Sequence, residues 1–559
     1  MKLLLTFLLL FFSLHADITD TKLKNMIARM LIVGFNGTKV DENSSIVKDL
    51  QTYQLGGVIL FDKNFKYPDK PKNIVDPKQL KKLTSDLQKY AQKPLFIAID
   101  QEGGKVARLR KDKDFYRAYT AKKTAKFKTK KAHRIYKKQS LMLKDNGINL
   151  NFAPVVDLAI NPKNKVIVGL ERSYGKDAKT VAKYASIMIE EQNKAGVISV
   201  LKHFPGHGSS LGDSHKGFVD VTKTWNKKEL EPYKKLISQD NVDMIMTAHV
   251  VNKKLDALYP ATLSYNINTN ILRKQLGFKG VVVSDDMQMK AISKHYSLQD
   301  ATTLAINGGV DILLFGSQLS DNATDEIIQT IFKQVKDGKI PLQRVIDANK
   351  KIELLHIKNK IIQKPIQFSN YRKELTKQYA KQHYNLDIQD ITIQPKMVVL
   401  HWTAVMDLND SFGRLYQENL LSDRKDIAHA SALNVSAHFL VDRDGTIYQL
   451  MPENYMARHV IGLNYCAIGI ENIGGEANTK EDLTPAQEQA NIELIRYLQA
   501  KYPSIKYLIG HHEYEEFENT PLWLEQDKNY RTIKADPGEK FMKNVRQKIT
   551  DLGLKSRYE

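Results

Sequence analysis

The sequence predicts an α/β protein made of a (β/α)8 TIM-type barrel followed by a smaller mixed α/β domain. Three observations support this prediction. Short apolar runs alternate with helix-like stretches eight times between residues 25 and 316. The length of 559 residues is enough for two or three domains. A charged, helix-prone stretch at residues 371–384 separates these units from a second set of strand patterns.

Each of the eight apolar runs has the composition of a buried parallel strand. Such strands are short, rich in β-branched residues and apolar on both faces. Eight of them, each followed by a helix-like stretch, match a (β/α)8 barrel of ordinary size. The runs are residues 30–35, 56–61, 94–100, 148–158, 197–204, 242–250, 280–287 and 310–316.

Polar side chains end several of these runs. Each of them alone is explained as a cap or a turn, but five runs end in this way. Because the carboxyl ends of barrel strands converge on one face, where active sites lie, we expect a site there. The residues in question are Asp100, Asp157, Lys202, His203, His249, Asp285 and Asp286.

A second set of patterns begins near residue 385. The dipeptide Asp444-Gly445 predicts the turn of a hairpin. Thr484, followed by Pro485 and Gln487, predicts the capped start of a helix. Together the patterns predict a mixed α/β domain. They comprise strands at 396–404, 466–474 and 505–514, the hairpin at 436–452 and the helix at 484–503.

We divide the chain into four segments by composition. The first is a signal peptide at residues 1–16, and the second is the barrel at 17–365. A linker or tether helix at 366–385 leads to the second α/β domain at 386–559.

The first sixteen residues, "MKLLLTFLLLFFSLHA", have the pattern of an export signal. Lys2 is the basic start, an apolar run covers residues 3–12, and Ala16 is a plausible cleavage residue. A retained N-terminal anchor is the second interpretation, although ten apolar residues are too few to span a bilayer. We expect an exported protein of the periplasm or cell envelope.

The charge of the chain is strongly positive, at +21 from 84 basic and 63 acidic residues. We therefore expect attraction to anionic cell-wall polymers or membrane surfaces. Export and the lack of nucleic-acid motifs argue against a nucleic-acid partner. Because Cys466 is the single cysteine, an intramolecular disulfide is excluded. No sequence feature indicates an oligomeric state.

The stretch "KHFPGHGSSLGDSH" at residues 202–215 contains three histidines and is rich in glycine. A metal site is one interpretation, but the cation of Lys202 beside His203 disfavours it. The other is an acid–base pair in which Asp213 orients His215. A carboxylate nucleophile with a separate proton donor is the equipment of a retaining glycosidase, and Asp285 ends the seventh run.

These motifs resemble the β-N-acetylglucosaminidases of glycoside hydrolase family 3. The resemblance covers roughly residues 20–365. It departs at Lys105, where the family usually has arginine. The motifs are "IDQEGGKVARL", "NFAPVVDL", "ERSYG", "KHFPGHGSSLGDSH" and "VVSDDM".

The resemblance implies a single-barrel retaining enzyme that removes terminal N-acetylglucosamine without a cofactor in the barrel. Asp285 would be the nucleophile, and His215 the acid/base held by Asp213. Asp100 would bind sugar hydroxyls. The same pocket would be lined by Arg108, Arg172, Lys202 and His203.

The second domain has zinc-ligand residue types at the ends of its predicted strands. His401 ends one strand, His511 and His512 end another, and Asp536 follows in "KADPGEKF". In hydrolytic enzymes a zinc ion is commonly held by two histidines and one carboxylate, with a water molecule in the fourth position. Glu471, in "IGIEN", is the best-placed carboxylate to take a proton. Singly, these residues are also typical of strand ends and turns.

The ordered motifs "VVLHWTA", "SAHFLVDRDGTIYQL", "AIGIEN", "IGHHEY" and "KADPG" resemble the type-2 N-acetylmuramoyl-L-alanine amidases. The resemblance implies Zn²⁺ on His401, His511 and Asp536. Glu471 would be the general base, and Lys534 would stabilise the oxyanion. His438 and His459 would contact substrate near the cleft. The stretch between His511 and Asp536 is longer than in short family members.

The two resemblances predict a bifunctional hydrolase of peptidoglycan or its muropeptide fragments. One activity would remove N-acetylglucosamine, and the other would cut the N-acetylmuramoyl-L-alanine amide. The alternative is a β-glycosidase or glycoside phosphorylase whose C-terminal domain binds peptidoglycan without cutting it. The sequence leaves open whether the substrate is intact sacculus or soluble fragments.

Overall fold

The computed structural model describes residues 18–212, 217–320 and 322–558. The described residues form two compact units, within Met1–Leu355 and His356–Glu559. The predicted signal peptide at residues 1–16 lies outside the described residues. Among the described helices, none combines the length and the apolar composition needed to cross a membrane.

The first unit is a closed barrel of eight parallel strands in chain order. Every predicted apolar run supplies one strand, and the last strand pairs with the first, as in the register Leu31↔Leu313. The predicted (β/α)8 barrel is therefore confirmed. The strands are β1 (Leu31–Gly34), β2 (Gly57–Ile59), β3 (Phe96–Ile99), β4 (Leu150–Asn151), β5 (Ile198–Phe204), β6 (Met244–Thr247), β7 (Val281–Asp286) and β8 (Ile312–Phe315).

Helices surround this barrel and bury one apolar face each. In the helix that starts at Pro77, Leu80, Leu83 and Leu87 are buried, at the spacing of one helical face. Asp76 caps that helix by accepting from the Gln79 amide at 2.8 Å. The helices are α1 (Asp20–Arg29), α2 (Ser45–Thr52), α3 (Pro77–Tyr90), α4 (Ala121–Thr124), α5 (Thr129–Asp145), α6 (Ala178–Lys194), α7 (Glu231–Ile237), α8 (Lys290–Ser293), α9 (Leu298–Gly308), α10 (Thr324–Lys336) and α11 (Leu342–Lys360), with a π-helical segment at Asn266–Gln275.

The second unit is built on one six-stranded sheet. The strand Met397–Trp402, second from one edge of the sheet, pairs in parallel with both neighbours, and its His401 lies opposite Glu471. The predicted hairpin is present as an antiparallel pair. The strands are β9 (Ile362–Gln363), β10 (Met397–Trp402), β11 (Phe439–Val441), β12 (Ile447–Gln449), β13 (Ala467–Asn472) and β14 (Tyr507–Gly510), in the order β9-β12-β11-β13-β10-β14.

Four helices accompany this sheet among the described residues. The predicted capping box at Thr484 and Gln487 is present at the start of the long helix. This reciprocal pair satisfies two backbone amides that a helix start otherwise leaves open. The helices are α12 (Asn370–Tyr384), α13 (Leu408–Tyr416), α14 (Pro485–Lys501) and α15 (Glu539–Lys548).

The segment predicted as a linker, residues 366–385, is part of the second unit. Its helix α12 buries Leu375, Tyr379 and Tyr384 in the core that also holds Met397 and Ile509 of the sheet. The boundary between the two compact units lies after Leu355, ten residues before the predicted end of the barrel domain at residue 365. The lysines of this segment suggested a solvated tether, but they occupy only its outer face.

Replacing Tyr379 by alanine should destabilise the second unit by about 3–5 kcal/mol, because a large buried aromatic side chain is removed. Tyr379 is 1% exposed, and its ring stacks on His383 at a centroid distance of 4.3 Å. The matched control is Tyr371→Ala on the same helix, where the side chain is 50% exposed. Calorimetry should show that Tyr379→Ala lowers the unfolding temperature of the second unit and that Tyr371→Ala does not. Equal unfolding temperatures in the two variants would contradict the assignment of α12 to this core.

Candidate active sites

The barrel encloses a cavity of about 630 Å³ at the carboxyl ends of its strands. All six predicted barrel-site residues that the structure describes line this cavity. The other two, Asp213 and His215, lie outside the described residues. The six are Asp100, Arg108, Arg172, Lys202, His203 and Asp285.

A buried network of charges forms one wall of the cavity. The Lys202 ammonium lies 2.8 Å from Asp100 and 2.7 Å from Glu102. Arg108 donates to Asp100 at 3.0 Å, and Arg172 donates twice to Glu102 at 2.8 and 2.7 Å. Burial alone would raise the pKa of Asp100, but the charges of Lys202 and Arg108 outweigh it and hold that pKa below its usual range. The wall therefore offers ionised acceptors and fixed donors to a polyhydroxylated ligand.

Asp157 fixes the ring of His203. Arg172 has only donors, so its contact at 3.3 Å requires an unprotonated Nε2 on His203. The Nδ1–H of His203 then donates to Asp157 Oδ2 at 2.7 Å. The other Asp157 oxygen accepts from the amides of His203 and His207 at 3.2 and 2.8 Å. This arrangement fixes the orientation of the His203 ring in the wall.

The adjacent carboxylates at the end of β7 differ in their surroundings. Asp286 Oδ1 accepts from the amides of Gln288 and Gly316 at 3.0 and 3.2 Å. The Asp286 carbonyl accepts from His249 Nε2 at 2.9 Å. Asp285 Oδ1 accepts from the Asp286 amide at 2.8 Å, and its side chain lines the cavity. Asp286 lines the same cavity and also shapes the turn, so the structure brings the predicted nucleophile and its neighbour to one wall.

Two carboxylates that matter here were not predicted as site residues. Glu102 lies two residues after Asp100 along an extended segment, so both side chains point to the same side, a signal that the sequence contained. Glu229 accepts from the amides of Gly208 and Ser209 at 2.9 and 3.3 Å. Burial raises the pKa of Glu229 to about 7. Glu229 anchors the start of the loop that leads to Asp213, but its sequence position gives no hint of this.

The second unit has its own cavity of about 350 Å³ at the ends of β10, β13 and β14. Six of the seven residues predicted for this site line it. They are His401, His459, Glu471, His511, Lys534 and Asp536.

Three side chains in this cavity are arranged as metal ligands. His401 Nδ1 lies 3.0 Å from His511 Nδ1 and 3.2 Å from Asp536 Oδ2, and His511 Nδ1 lies 3.0 Å from the same oxygen. Ligands of a tetrahedral zinc ion, each at about 2.0–2.1 Å from the metal, are about 3.3 Å apart. Burial lowers the pKa of His511 to about 4, which leaves its ring neutral. A shared cation would satisfy the three facing lone pairs, so the residues fit zinc.

The neighbouring histidines have other partners. His512 Nδ1 donates to the Asp536 carbonyl at 2.9 Å, which agrees with the choice of His511 as ligand. His459 lies beside the cluster, with Nδ1 at 3.0 Å from His401 Nε2. It therefore contacts a predicted ligand, besides lining the cavity as predicted.

The prediction that His438 contacts substrate is wrong in this structure. His438 is fully buried, accepts from the Gly469 amide at 3.0 Å and donates to the Tyr455 carbonyl at 2.8 Å. Both ring nitrogens are therefore used by backbone groups, one of them in strand β13. In this motif, His438 therefore has a structural role.

Glu471 and Lys534 complete the lining of this cavity. Burial raises the pKa of Glu471 to about 7, although the nearby His401 opposes the shift. Its Oε2 atom has no hydrogen-bond partner among the described residues. Burial lowers the pKa of Lys534, opposed by Asp536. A carboxylate that readily takes a proton and a cation thus lie beside the ligand cluster.

Comparison with known families identifies both units. The family model described as the glycosyl hydrolase family 3 N terminal domain matches residues 18–355, more than half of the chain. The chain belongs to glycosyl hydrolase family 3. The second unit of this family 3 protein matches the model described as N-acetylmuramoyl-L-alanine amidase over residues 392–539. The chain therefore joins a glycosidase-family barrel to an amidase-family domain, as the motifs predicted.

Three proteins illustrate the likeness of this family 3 chain. Beta-hexosaminidase A of Pseudoalteromonas piscicida is 36% identical over 315 residues, covering 52% of this chain and 50% of that protein. The chain thus matches half the length of that relative. Beta-hexosaminidase of Haemophilus influenzae is 33% identical over 294 residues, covering 51% of this chain and 78% of that protein. The solved beta-N-acetylhexosaminidase from Beutenbergia cavernae has a TM-score of 0.54 and 26% identity, covering 60% of this chain and 98% of that chain.

Proposed function

We propose that this protein is a bifunctional hydrolase of peptidoglycan or muropeptides. The barrel would remove terminal β-N-acetylglucosamine, and the second unit would cleave the amide between N-acetylmuramic acid and L-alanine. The observation that carries the proposal is the presence of two cavities, one in each unit, that hold the described predicted residues of a glycosidase-family barrel and an amidase-family domain.

In the barrel, the proposed reaction is a retaining hydrolysis in two steps. Asp285 attacks the anomeric carbon while His215, oriented by Asp213, gives its proton to the leaving oxygen. His215 then takes a proton from water, which displaces Asp285 from the sugar. Sugar hydroxyls and the N-acetyl group are bound by Asp100, Arg108, Arg172, Lys202 and His203. Their network supports this role because its polar atoms are fixed before a ligand arrives.

In the second unit, His401, His511 and Asp536 would hold a zinc ion. When bound, zinc lowers the pKa of a water molecule and polarises the amide carbonyl. Glu471 would take a proton from the attacking water as its oxygen bonds to the carbonyl carbon, and would deliver that proton to the amine nitrogen as the C–N bond breaks. Lys534 stabilises the negative charge that develops on the carbonyl oxygen. The complete ligand set, with a buried carboxylate and a cation beside it, favours cleavage over mere binding.

The site of action follows from the substrate and from the first sixteen residues. We infer an exported protein of the periplasm or cell envelope, where peptidoglycan lies. The pattern of Lys2, an apolar run and Ala16 supports this inference. No nucleic-acid partner is proposed.

Mass spectrometry of the products from one defined GlcNAc-MurNAc-peptide tests the proposal. The unmodified protein should release both free N-acetylglucosamine and free stem peptide. Adding inorganic phosphate should leave the sugar product unphosphorylated. A sugar phosphate would instead support the phosphorylase alternative, and peptide binding without release would support the binding-module alternative.

A further inference from the structure

A continuous basic surface covers residues 122–138 on helices α4 and α5. Nine lysines and arginines lie in this stretch, all of them exposed, and it has no acidic residue. We call this set the basic surface. It consists of Lys122, Lys123, Lys126, Lys128, Lys130, Lys131, Arg134, Lys137 and Lys138.

The charges of the basic surface are hardly compensated within the described part of the chain. Lys122 pairs with Glu171 at 3.4 Å, the single ion pair described for these nine residues. Lys123 and Lys131 instead lie over the rings of Tyr119 and Phe127, at 4.6 and 3.7 Å from the centroids. Like charges crowded at this density repel one another, which an external polyanion would relieve.

The basic surface begins at the wall of the barrel cavity. Leu170 and Arg172 line that cavity. The residue between them, Glu171, accepts from the Lys122 amide through its carbonyl at 3.2 Å. Lys105 donates to the Gly169 carbonyl at 3.3 Å, on the same wall. An extended ligand that leaves the cavity over this wall therefore meets the cations first.

We propose that the basic surface binds the carboxylates of the acidic stem peptides along a peptidoglycan strand whose terminal sugar lies in the barrel cavity. This proposal rests on the proposed function of the barrel and makes the polymer, rather than a small fragment, the preferred substrate. On helix α5 the cations run from Lys130 to Lys138, about 12 Å along the helix axis, and the residues from Lys122 onward extend the basic surface beyond the start of this helix.

A membrane surface fits this face less well. Helices that lie in a bilayer expose apolar side chains together with their cations. In the basic surface the large apolar side chains Ile135 and Tyr136 are buried, and Phe127 is partly buried. The exposed large side chains of residues 122–138 are therefore cations rather than apolar groups, which suits a hydrated polymer.

A fourfold charge-neutralised variant tests this proposal: Lys123→Gln, Lys126→Gln, Lys130→Gln and Lys131→Gln. Its matched control carries the same charge change at four exposed lysines on or just after α3: Lys78→Gln, Lys81→Gln, Lys89→Gln and Lys93→Gln. Co-sedimentation with purified sacculi at low salt should be about tenfold weaker for the first variant than for the control. Release of N-acetylglucosamine from sacculi should fall in parallel.

Turnover of a small aryl β-N-acetylglucosaminide should stay the same in both variants, because these lysines lie outside the cavity. If the unmodified protein does not turn over this small substrate, the proposed function of the barrel is itself refuted. Equal sacculus binding by both variants would overturn the basic-surface proposal alone. Binding to phosphatidylglycerol vesicles that depends on the four lysines, with unchanged sacculus binding, would also overturn it and indicate a membrane partner.

A separate observation concerns His459 and the ligand His401. His459 Nε2 faces the Ala467 carbonyl at 3.3 Å, so that nitrogen carries the proton. His459 Nδ1 then accepts from His401 Nε2–H at 3.0 Å. The remaining nitrogen of His401, Nδ1, therefore presents its lone pair to His511 and Asp536.

The ring of His459 is itself held in place. A Cβ atom at Gly469 would come within 2.7 Å of that ring, so the glycine lets the imidazole lie flat on β13. We infer that His459 is a positioning residue that sets the tautomer and orientation of His401 for metal binding. Partners of this kind commonly change metal affinity 10–100-fold when they are removed.

Zinc affinity of the full-length protein, measured by chelator competition, tests this inference. His459→Leu should weaken zinc binding by about tenfold or more, and His459→Asn, which keeps an acceptor, should recover most of it. His512→Ala is the control, since His512 also lies beside the cluster but bonds to the Asp536 carbonyl and not to His401. Unchanged affinity in His459→Leu would refute the inference. So would an equal loss in His459→Asn or in His512→Ala.

Discussion

Replacing Asp285 by asparagine should abolish turnover of an aryl β-N-acetylglucosaminide while the fold stays intact. The amide cannot attack the anomeric carbon, so we expect a loss of roughly 10⁴-fold or more, as for other variants without a nucleophile. Asp285 accepts one described hydrogen bond, from the Asp286 amide, and the asparagine oxygen can keep it. Release of stem peptide by the second unit should be unaffected. Steady-state kinetics measure the loss of turnover, and thermal unfolding of the same preparation tests whether the fold is intact.

Asp286→Asn is the matched control for this substitution. Asparagine keeps an oxygen that can accept from the amides of Gln288 and Gly316, so the turn at the end of β7 should persist. This variant should retain far more glycosidase activity than Asp285→Asn. The reverse order of activities would assign the nucleophile to Asp286 and overturn the reaction proposed for the barrel.

Replacing His401 by alanine should remove bound zinc and stop release of the stem peptide. The unmodified protein should contain about one zinc per chain, because one three-ligand cluster of buried residues is described. Without the His401 ring, two ligands remain, too few to hold the metal at ordinary zinc concentrations. Elemental analysis of the dialysed protein and a stem-peptide assay measure the two losses. Sugar release should continue at its normal rate.

His512→Ala separates loss of a ligand from loss of a neighbouring imidazole. His512 bonds to the backbone carbonyl of Asp536 and not to the carboxylate. This variant should keep its zinc and most of its amidase activity. A metal-free preparation that releases stem peptide at the full rate would end the zinc proposal for this unit.

The barrel was predictable because its strands are buried on both faces. That burial produces continuous apolar runs, and all eight runs became strands of one closed barrel. The convergence of strand ends then explains why Asp100, Lys202, His203 and Asp285 meet in one cavity. In the second unit, the ends of β10 and β14 bring His401 and His511 together by the same rule.

The remaining features depend on packing that local sequence does not encode. Helix α12 has an amphipathic pattern with many lysines, and a tether or a packed helix can carry the same pattern. The partners of His438 are backbone groups on two other segments, which only the register of the sheet determines. Glu229 reaches the loop at Gly208 across 21 positions of chain, a separation that no motif specifies.

The buried wall of Lys202, Asp100 and Glu102 has one more consequence. Burial opposes the charged form of all three side chains, but the attraction of Arg172 and Lys202 for Glu102, and of Lys202 and Arg108 for Asp100, outweighs it, so the pKa of each carboxyl is lowered and that of the ammonium is raised. None of them gains or loses a proton across the ordinary working range of an enzyme. The charges of the wall that we propose to bind the sugar therefore stay constant over this range, and we expect the pH profile of the barrel to report on groups that titrate near neutrality, such as Glu229 and the proposed proton donor His215.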